Sequence, residues 1–174
     1  MTILLIILAL IALPMILAAF SSDQYEIKRD VIINKPVPEV YAFTKIIKNQ
    51  EHYNKWVMTD PHSRKTLTGR DGTVGFIYAW DSDMKQAGKG EQEIIALTEN
   101  KSIDCEIRFE KPFKQTSNTR MTTEDAGAGK TKVTWSFYGK RNYMMKVMQL
   151  LLRLENALGR DMEKSLGMLK QKME

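Results

Sequence analysis

The sequence predicts an α+β fold in which a curved antiparallel sheet of about seven strands wraps around one long C-terminal helix. Hydrophobic and polar residues alternate in several short segments between residues 64 and 138, which is the pattern of half-buried strands. After Asn142, apolar residues recur every three or four positions to the C-terminus, which is the pattern of an amphipathic helix. Because this helix is the only segment long enough to cover the apolar face of the sheet, we expect it to lie across that face.

The first strand is predicted over residues 25–33, and two short helices are predicted to follow it. Pro36 and Pro38 end the strand and open the first helix, because proline is well tolerated in a first helical turn. Asn49 is the predicted N-cap of the second helix, which carries Trp56.

Six further strands follow in series and are expected to pair as hairpins. Their predicted ranges are 64–68, 74–80, 91–98, 103–110, 116–123 and 130–138. The long helix then presents an apolar stripe at spacings of three and four, formed by Leu151, Leu154, Leu158, Met162, Leu166, Leu169 and Met173.

An apolar stretch that is interrupted only by Pro14 precedes the first strand. Residues 3–20 contain no charged side chain, and a helix of 18 residues reaches about 27 Å, close to the hydrocarbon thickness of a bilayer. We therefore predict a transmembrane anchor over residues 1–22, with the membrane as a partner through residues 3–20, and a folded domain over residues 23–174. A cleaved signal peptide is the alternative, but such signals begin with basic residues and none occurs here.

The basic residues next to this stretch predict its orientation. Lys28, Arg29 and Lys35 all follow the apolar stretch. By the positive-inside rule, the sequence predicts a single-pass protein of a bacterial inner membrane with its domain in the cytoplasm.

Composition excludes several classes of site. The lone cysteine, Cys105, excludes a disulfide framework and cysteine-based zinc sites. His52 and His62 are not at metal-ligand spacing, so neither a metal nor a cofactor is expected. The net charge of +5 is not interleaved with exposed aromatic residues along a strand, and nucleic acid is therefore not an expected partner. The composition leaves the oligomeric state open.

The order of elements resembles the helix-grip fold of the START-like (SRPBCC) superfamily, in particular its polyketide cyclase/dehydratase and lipid-transport branch. The resemblance covers residues 25–172. It is carried by residues 32–36, 38–41, 56–57, 75–80, 88–94, 108–109, 111–113 and 131–135.

The resemblance implies an apolar cavity between the sheet and the long helix. The residues expected to line it are Tyr78, Trp80, Ile107, Phe109, Trp135, Phe137, Met148, Leu151 and Leu158. Candidate polar anchors are Glu91, Glu93 and Arg120. Two glycines in the long helix, Gly159 and Gly167, indicate either close helix packing or room for a ligand.

Three functions follow from these expectations. The first is a membrane-tethered carrier or sensor of a hydrophobic, lipid-like or polyketide-like molecule. The second is a polyketide cyclase/dehydratase-like enzyme with a buried carboxylate, tyrosine or arginine, and the third is a chaperone-activator-like module that binds proteins through its charged face. The sequence contains no recognisable catalytic constellation, which favours the first.

Overall fold

Seven antiparallel strands form a single sheet in this computed structural model. The structure describes residues 12–13, 15–141, 143–152 and 154–174, and only the backbone of residues 144, 149–152 and 154. The strands are β1 (Gln24–Ile33), β2 (Arg64–Thr68), β3 (Ile77–Asp81), β4 (Lys89–Thr98), β5 (Ser102–Lys111), β6 (Gln115–Asp125) and β7 (Thr131–Lys140). They lie in the order β1-β7-β6-β5-β4-β3-β2, which confirms the predicted α+β fold.

Helices lie between β1 and β2 and again after β7. They are α1 (Val37–Thr44), a 3-10 helix (Ile47–His52), α2 (Lys55–Thr59), α3 (Tyr143–Leu152) and α4 (Leu154–Met173). The predicted long C-terminal helix thus corresponds to α3 and α4, and residue 153 between them lies outside the described residues.

Strands β2 to β7 are successive hairpins, whereas β1 pairs with the last strand. Its register places Ile27 opposite Phe137 and Val31 opposite Val133. The two α-helices and the 3-10 helix after β1 carry the chain to the opposite edge of the sheet, where β2 begins. Among the described strands, β1 is therefore the one that is not part of a hairpin, and it fills the edge position next to β7.

Helix α4 packs its apolar stripe onto β1 and β7, as the spacing predicts. Met162, Leu166 and Leu169 are at most 1% exposed and share one core cluster with Ile33 and Val133. Full burial of a side chain of this size stabilises the fold by about 1.5–3 kcal/mol.

A second core cluster lies under α1 and the 3-10 helix, against β3, β4 and β5. It includes Tyr41, Ile47, Phe76 and Ile94. The carboxylate of Asp71, from the turn after β2, accepts hydrogen bonds from the backbone N–H groups of Ile47 and Lys48 at 2.8 and 3.0 Å. This distant residue therefore caps the 3-10 helix, since no side chain of its own N-cap does so.

Two local predictions were wrong in detail. The N-cap of α2 is Asn54, whose side chain accepts a hydrogen bond from the N–H of Trp56, and not Asn49, which donates to the carbonyl of Phe43. Strand β3 begins at Ile77 rather than at residue 74, because the chain still turns at Gly75, where φ is +87°.

The prediction of a single-pass protein of the inner membrane is contradicted by the structure. Among the described residues, no helix is both long enough and apolar enough to cross a membrane. Of the predicted span, residues 12–13 and 15–20 are helical, and the rest lies outside the described residues. Crossing the hydrocarbon layer requires about 20 consecutive helical apolar residues.

Candidate functional site

A cavity of about 190 Å³ lies between the two core clusters. Strands β3 to β7, helices α2 and α4 and the loop between β3 and β4 contribute its walls. The described residues that line it are Asn54, Trp56, Val57, Asp60, Ser63, Tyr78, Trp80, Gln86, Ala87, Gln92, Ile107, Phe109, Thr119, Trp135, Phe137 and Leu158.

Strand alternation explains why so many aromatic rings reach this cavity. Residues two apart on a strand point to the same face, so Tyr78 and Trp80 on β3 face inward together. The same holds for Trp135 and Phe137 on β7.

The aromatic rings pack edge to face around the cavity. The centroids of Trp80 and Phe109 are 6.0 Å apart at an interplanar angle of 78°, and those of Trp56 and Trp135 are 5.9 Å apart at 70°. This is the preferred geometry of aromatic pairs. The indole N–H of Trp80 also donates to the carbonyl of Ala87 at 3.0 Å, which ties the loop between β3 and β4 to the cavity wall.

Tyr78 links the cavity wall to the 3-10 helix. Its hydroxyl donates to Oε1 of Glu51 at 3.0 Å, and this carboxylate also lies 3.5 Å from Nζ of Lys65. Burial, and then the hydrogen bond to Glu51, raise the pKa of the Tyr78 phenol above its usual value. The phenol is therefore neutral at physiological pH and already engaged as a donor.

Asp60 is the only carboxylate among the described lining residues. It accepts hydrogen bonds from the hydroxyl of Ser82 and from the backbone N–H of His62. The hydrogen bond from Ser82 is the main reason that the pKa of this carboxyl lies below its usual value. Asp60 is consequently ionised at neutral pH.

The strands between β3 and β7 contribute a small polar patch to an otherwise apolar cavity. Gln92 on β4 and Thr119 on β6 are 7% and 4% exposed and both line the cavity. The thiol of Cys105, on β5 between them, lies next to both side chains. Burial raises the pKa of this thiol to about 11, so it is protonated and unreactive at neutral pH.

Seven of the nine predicted pocket residues line the cavity. Met148 does not line it and is 36% exposed, and the side chain of Leu151 lies outside the described residues. Gly159 packs closely, since a Cβ atom there would meet the guanidinium of Arg29, whereas a Cβ atom on Gly167 would meet open space.

The three predicted polar anchors lie away from the cavity. Glu91 and Glu93 form ion pairs with Arg108 at 2.6 and 2.7 Å, and Arg120 pairs with Asp104. Because β4 alternates, an inward-facing Gln92 places both of its glutamate neighbours on the opposite face.

The lining residues that the sequence did not suggest come mainly from non-strand segments and from polar positions. Asn54, Val57 and Asp60 lie in or beside α2, which no sequence pattern assigns to the cavity. The inward orientation of Gln92 follows from strand alternation once its position opposite Tyr78 and Ile107 is known. Within the described part of the chain, no cluster of His, Cys, Asp and Glu is arranged to bind a metal.

Comparison with known proteins agrees with this architecture. The family described as polyketide cyclase/dehydrase and lipid transport matches residues 24–174. No curated protein sequence matches the chain.

Several solved structures share the fold at low sequence identity. Protein MLL2253 from Mesorhizobium loti is 16% identical, with a TM-score of 0.60, and the match covers 84% of this chain and 95% of that one. The hypothetical protein jhp0584 from Helicobacter pylori is 10% identical, with a TM-score of 0.65 and coverages of 88% and 89%. The di-domain ARO/CYC BexL from the BE-7585A biosynthetic pathway is 15% identical, with a TM-score of 0.61, and the match covers 90% of this chain and 52% of BexL. The family match and this helix-grip architecture together make the chain a member of the polyketide cyclase/dehydrase and lipid transport family, within the START-like superfamily.

Proposed function

We propose that this chain is a binding domain for a hydrophobic small molecule, which it holds unchanged in the cavity between the sheet and the helices. The observation that carries this proposal is the aromatic-walled void of about 190 Å³. Interiors of proteins are normally filled to crystal-like density, and an unfilled void lowers stability. An apolar cavity of about 150 Å³ is already large enough for benzene.

The chemistry of the walls supports a hydrophobic ligand. Most lining side chains are aliphatic or aromatic, including those of Trp56, Trp80, Phe109 and Trp135. Burying an apolar ligand against such walls is favourable at about 25 cal/mol per Å² of apolar surface removed from water. The family description, which includes lipid transport, supports the same class of ligand.

A cyclase-like activity is the second candidate, because ionisable and polar side chains also line the cavity. BexL, which shares the fold, is described as an ARO/CYC protein. The best general acids and bases have pKa values near the working pH. Here the pKa of Asp60 is lowered, that of Tyr78 is raised, and both groups are already hydrogen-bonded. Binding without chemistry is therefore the better supported of the two.

Ligand capture by the full chain tests the proposal. Native mass spectrometry of the purified protein should show a bound mass that is lost on denaturation, and the neutral dye N-phenyl-1-naphthylamine should fluoresce on binding. Val57→Trp adds an indole at the cavity wall and is expected to weaken dye binding at least ten-fold. Val74→Trp is the matched control, because Val74 is 59% exposed and lies outside the cavity.

The outcomes separate the candidates. Absence of both a bound mass and dye binding overturns the binding proposal, as does a folded Val57→Trp variant that binds like the wild type. Conversion of the captured compound to a product of different mass during incubation favours the cyclase-like role instead.

A further inference from the structure

Gln92 and Thr119 break the apolar pattern of the cavity. Both occupy inward-facing positions, which on neighbouring strands are taken by residues such as Tyr78, Ile107 and Phe137. They are 7% and 4% exposed, so both side chains are withdrawn from bulk water.

The hydrogen-bonding capacity of this pair is largely unused by the described residues. A glutamine amide offers two donors and a carbonyl acceptor, and a threonine hydroxyl both donates and accepts. Among the described residues, the buried thiol of Cys105 lies next to both side chains, and a thiol is only a weak hydrogen-bond partner. Buried polar groups lower the stability of the fold unless a partner completes their hydrogen bonds. Polar residues at positions where the fold favours apolar ones are therefore expected mainly at functional sites.

The surrounding walls restrict the chemical class of a ligand that completes the hydrogen bonds of Gln92 and Thr119. Two edge-to-face pairs, Trp80 with Phe109 and Trp56 with Trp135, give the cavity ring-shaped apolar surfaces. The described lining residues include the carboxylate of Asp60 but no Lys, Arg or His. A carboxylate ligand would meet like charge there and would find no compensating cation among these residues.

We propose that the cavity selects a neutral ring compound bearing a ketone or hydroxyl oxygen, and that Gln92 and Thr119 bind this oxygen. The inference rests on the proposed function, since it concerns the ligand of the same cavity. In this arrangement the aromatic walls supply affinity and the polar pair supplies orientation, which is the usual division of roles in small-molecule sites.

Three matched probes test this ligand class on the full chain, and each competes with N-phenyl-1-naphthylamine for the cavity. The probes are naphthalene, 2-naphthol and 2-naphthoate. We expect 2-naphthol to bind about ten-fold more tightly than naphthalene, which corresponds to one net hydrogen bond. We expect 2-naphthoate to bind more weakly than 2-naphthol, because its charge is not compensated.

Two near-isosteric variants test whether Gln92 and Thr119 cause the preference for 2-naphthol over naphthalene. Gln92→Met and Thr119→Val should bring 2-naphthol down to the affinity of naphthalene while leaving naphthalene binding within about two-fold. Thr122→Val, on the opposite face of β6, is the control and should keep the full preference. Thermal unfolding of each variant establishes that it is folded.

Each outcome has a distinct meaning. Equal binding of the three probes by the wild type, or retention of the 2-naphthol preference in both variants, overturns the assignment to Gln92 and Thr119 but leaves the hydrophobic-binding proposal intact. Tighter binding of 2-naphthoate overturns the selection of neutral ligands. If neither the probes nor the dye binds, the proposed function itself fails.

Discussion

The indole of Trp80 lies directly against the backbone of Gly90 on the neighbouring strand. A Cβ atom on Gly90 would be 2.8 Å from Cζ2 of Trp80 and 2.6 Å from the carbonyl oxygen of Arg108. Real Cβ atoms do not approach other atoms this closely, so only glycine at this position leaves room for the Trp80 ring. The same ring packs edge to face on Phe109.

Replacing Gly90 by alanine should therefore disturb both the sheet and the cavity. We expect Gly90→Ala to lower the free energy of unfolding by about 1–3 kcal/mol, the usual effect of overpacking, and to weaken dye binding. Urea unfolding and dye titration measure the two effects. Gly167→Ala is the control: its Cβ would meet open space within α4, so stability should rise by up to about 1 kcal/mol. Destabilisation by both substitutions to the same degree would contradict this account of Gly90.

Loss of the hydroxyl group should change the free energy of unfolding differently at two buried tyrosines. The Tyr53 hydroxyl is buried with no hydrogen-bond partner among the described residues, whereas that of Tyr78 donates to Glu51. Tyr53→Phe should leave stability unchanged or raise it slightly, because an unpaired buried hydroxyl is unfavourable. Tyr78→Phe should cost about 1–2 kcal/mol in urea unfolding. A substantial loss for Tyr53→Phe would mean that its hydroxyl has a partner in the folded protein.

Arg108 holds three carboxylates together on the outer face of the sheet. It pairs with Glu91, Glu93 and Glu106 at 2.6–2.7 Å. At pH 7, Arg108→Met should destabilise the protein by about 1–2 kcal/mol, since it removes the shared cation and leaves three like charges in proximity. Arg64→Met should have little effect, because Arg64 is 68% exposed and its ion pairs are longer.

Urea unfolding at pH 7 measures both effects. A loss of stability in Arg108→Met no larger than that in Arg64→Met would contradict this account of Arg108.

The thiol of Cys105 should make stability fall at alkaline pH. Burial raises its pKa from 9.0 to about 11, so the unfolded chain loses this proton at a lower pH than the folded protein does. The resulting stabilisation is complete below pH 9 and is lost between pH 9 and 11, on the order of 1 kcal/mol by pH 10. In Cys105→Ala the free energy of unfolding should decline less steeply between pH 9 and 11. The tyrosines contribute equally to the decline in the variant and in the wild type. Equal slopes would argue against a raised thiol pKa.

Much of the cavity could be predicted because strand alternation is local. The side chains of Tyr78, Trp80, Trp135 and Phe137 follow from the period of two along their own strands. The polar lining was missed for a different reason. Whether Gln92 or its glutamate neighbours face inward depends on how β4 pairs with β3 and β5, and β4 changes register between Ile94 and Ala96.

The sequence alone was enough to predict the succession of strands and helices and the apolar stripe of α4, because each depends on residues close together in the chain. The order of these elements then indicated the family. The tertiary structure decided that Asp71 caps a helix more than twenty residues earlier in the chain. It also decided that Asn54 and Asp60 line the cavity. Finally, it placed Gln92 and Thr119 next to the thiol of Cys105. These relationships join residues far apart in sequence, and their distances are set only when the whole sheet pairs and the helices close over it.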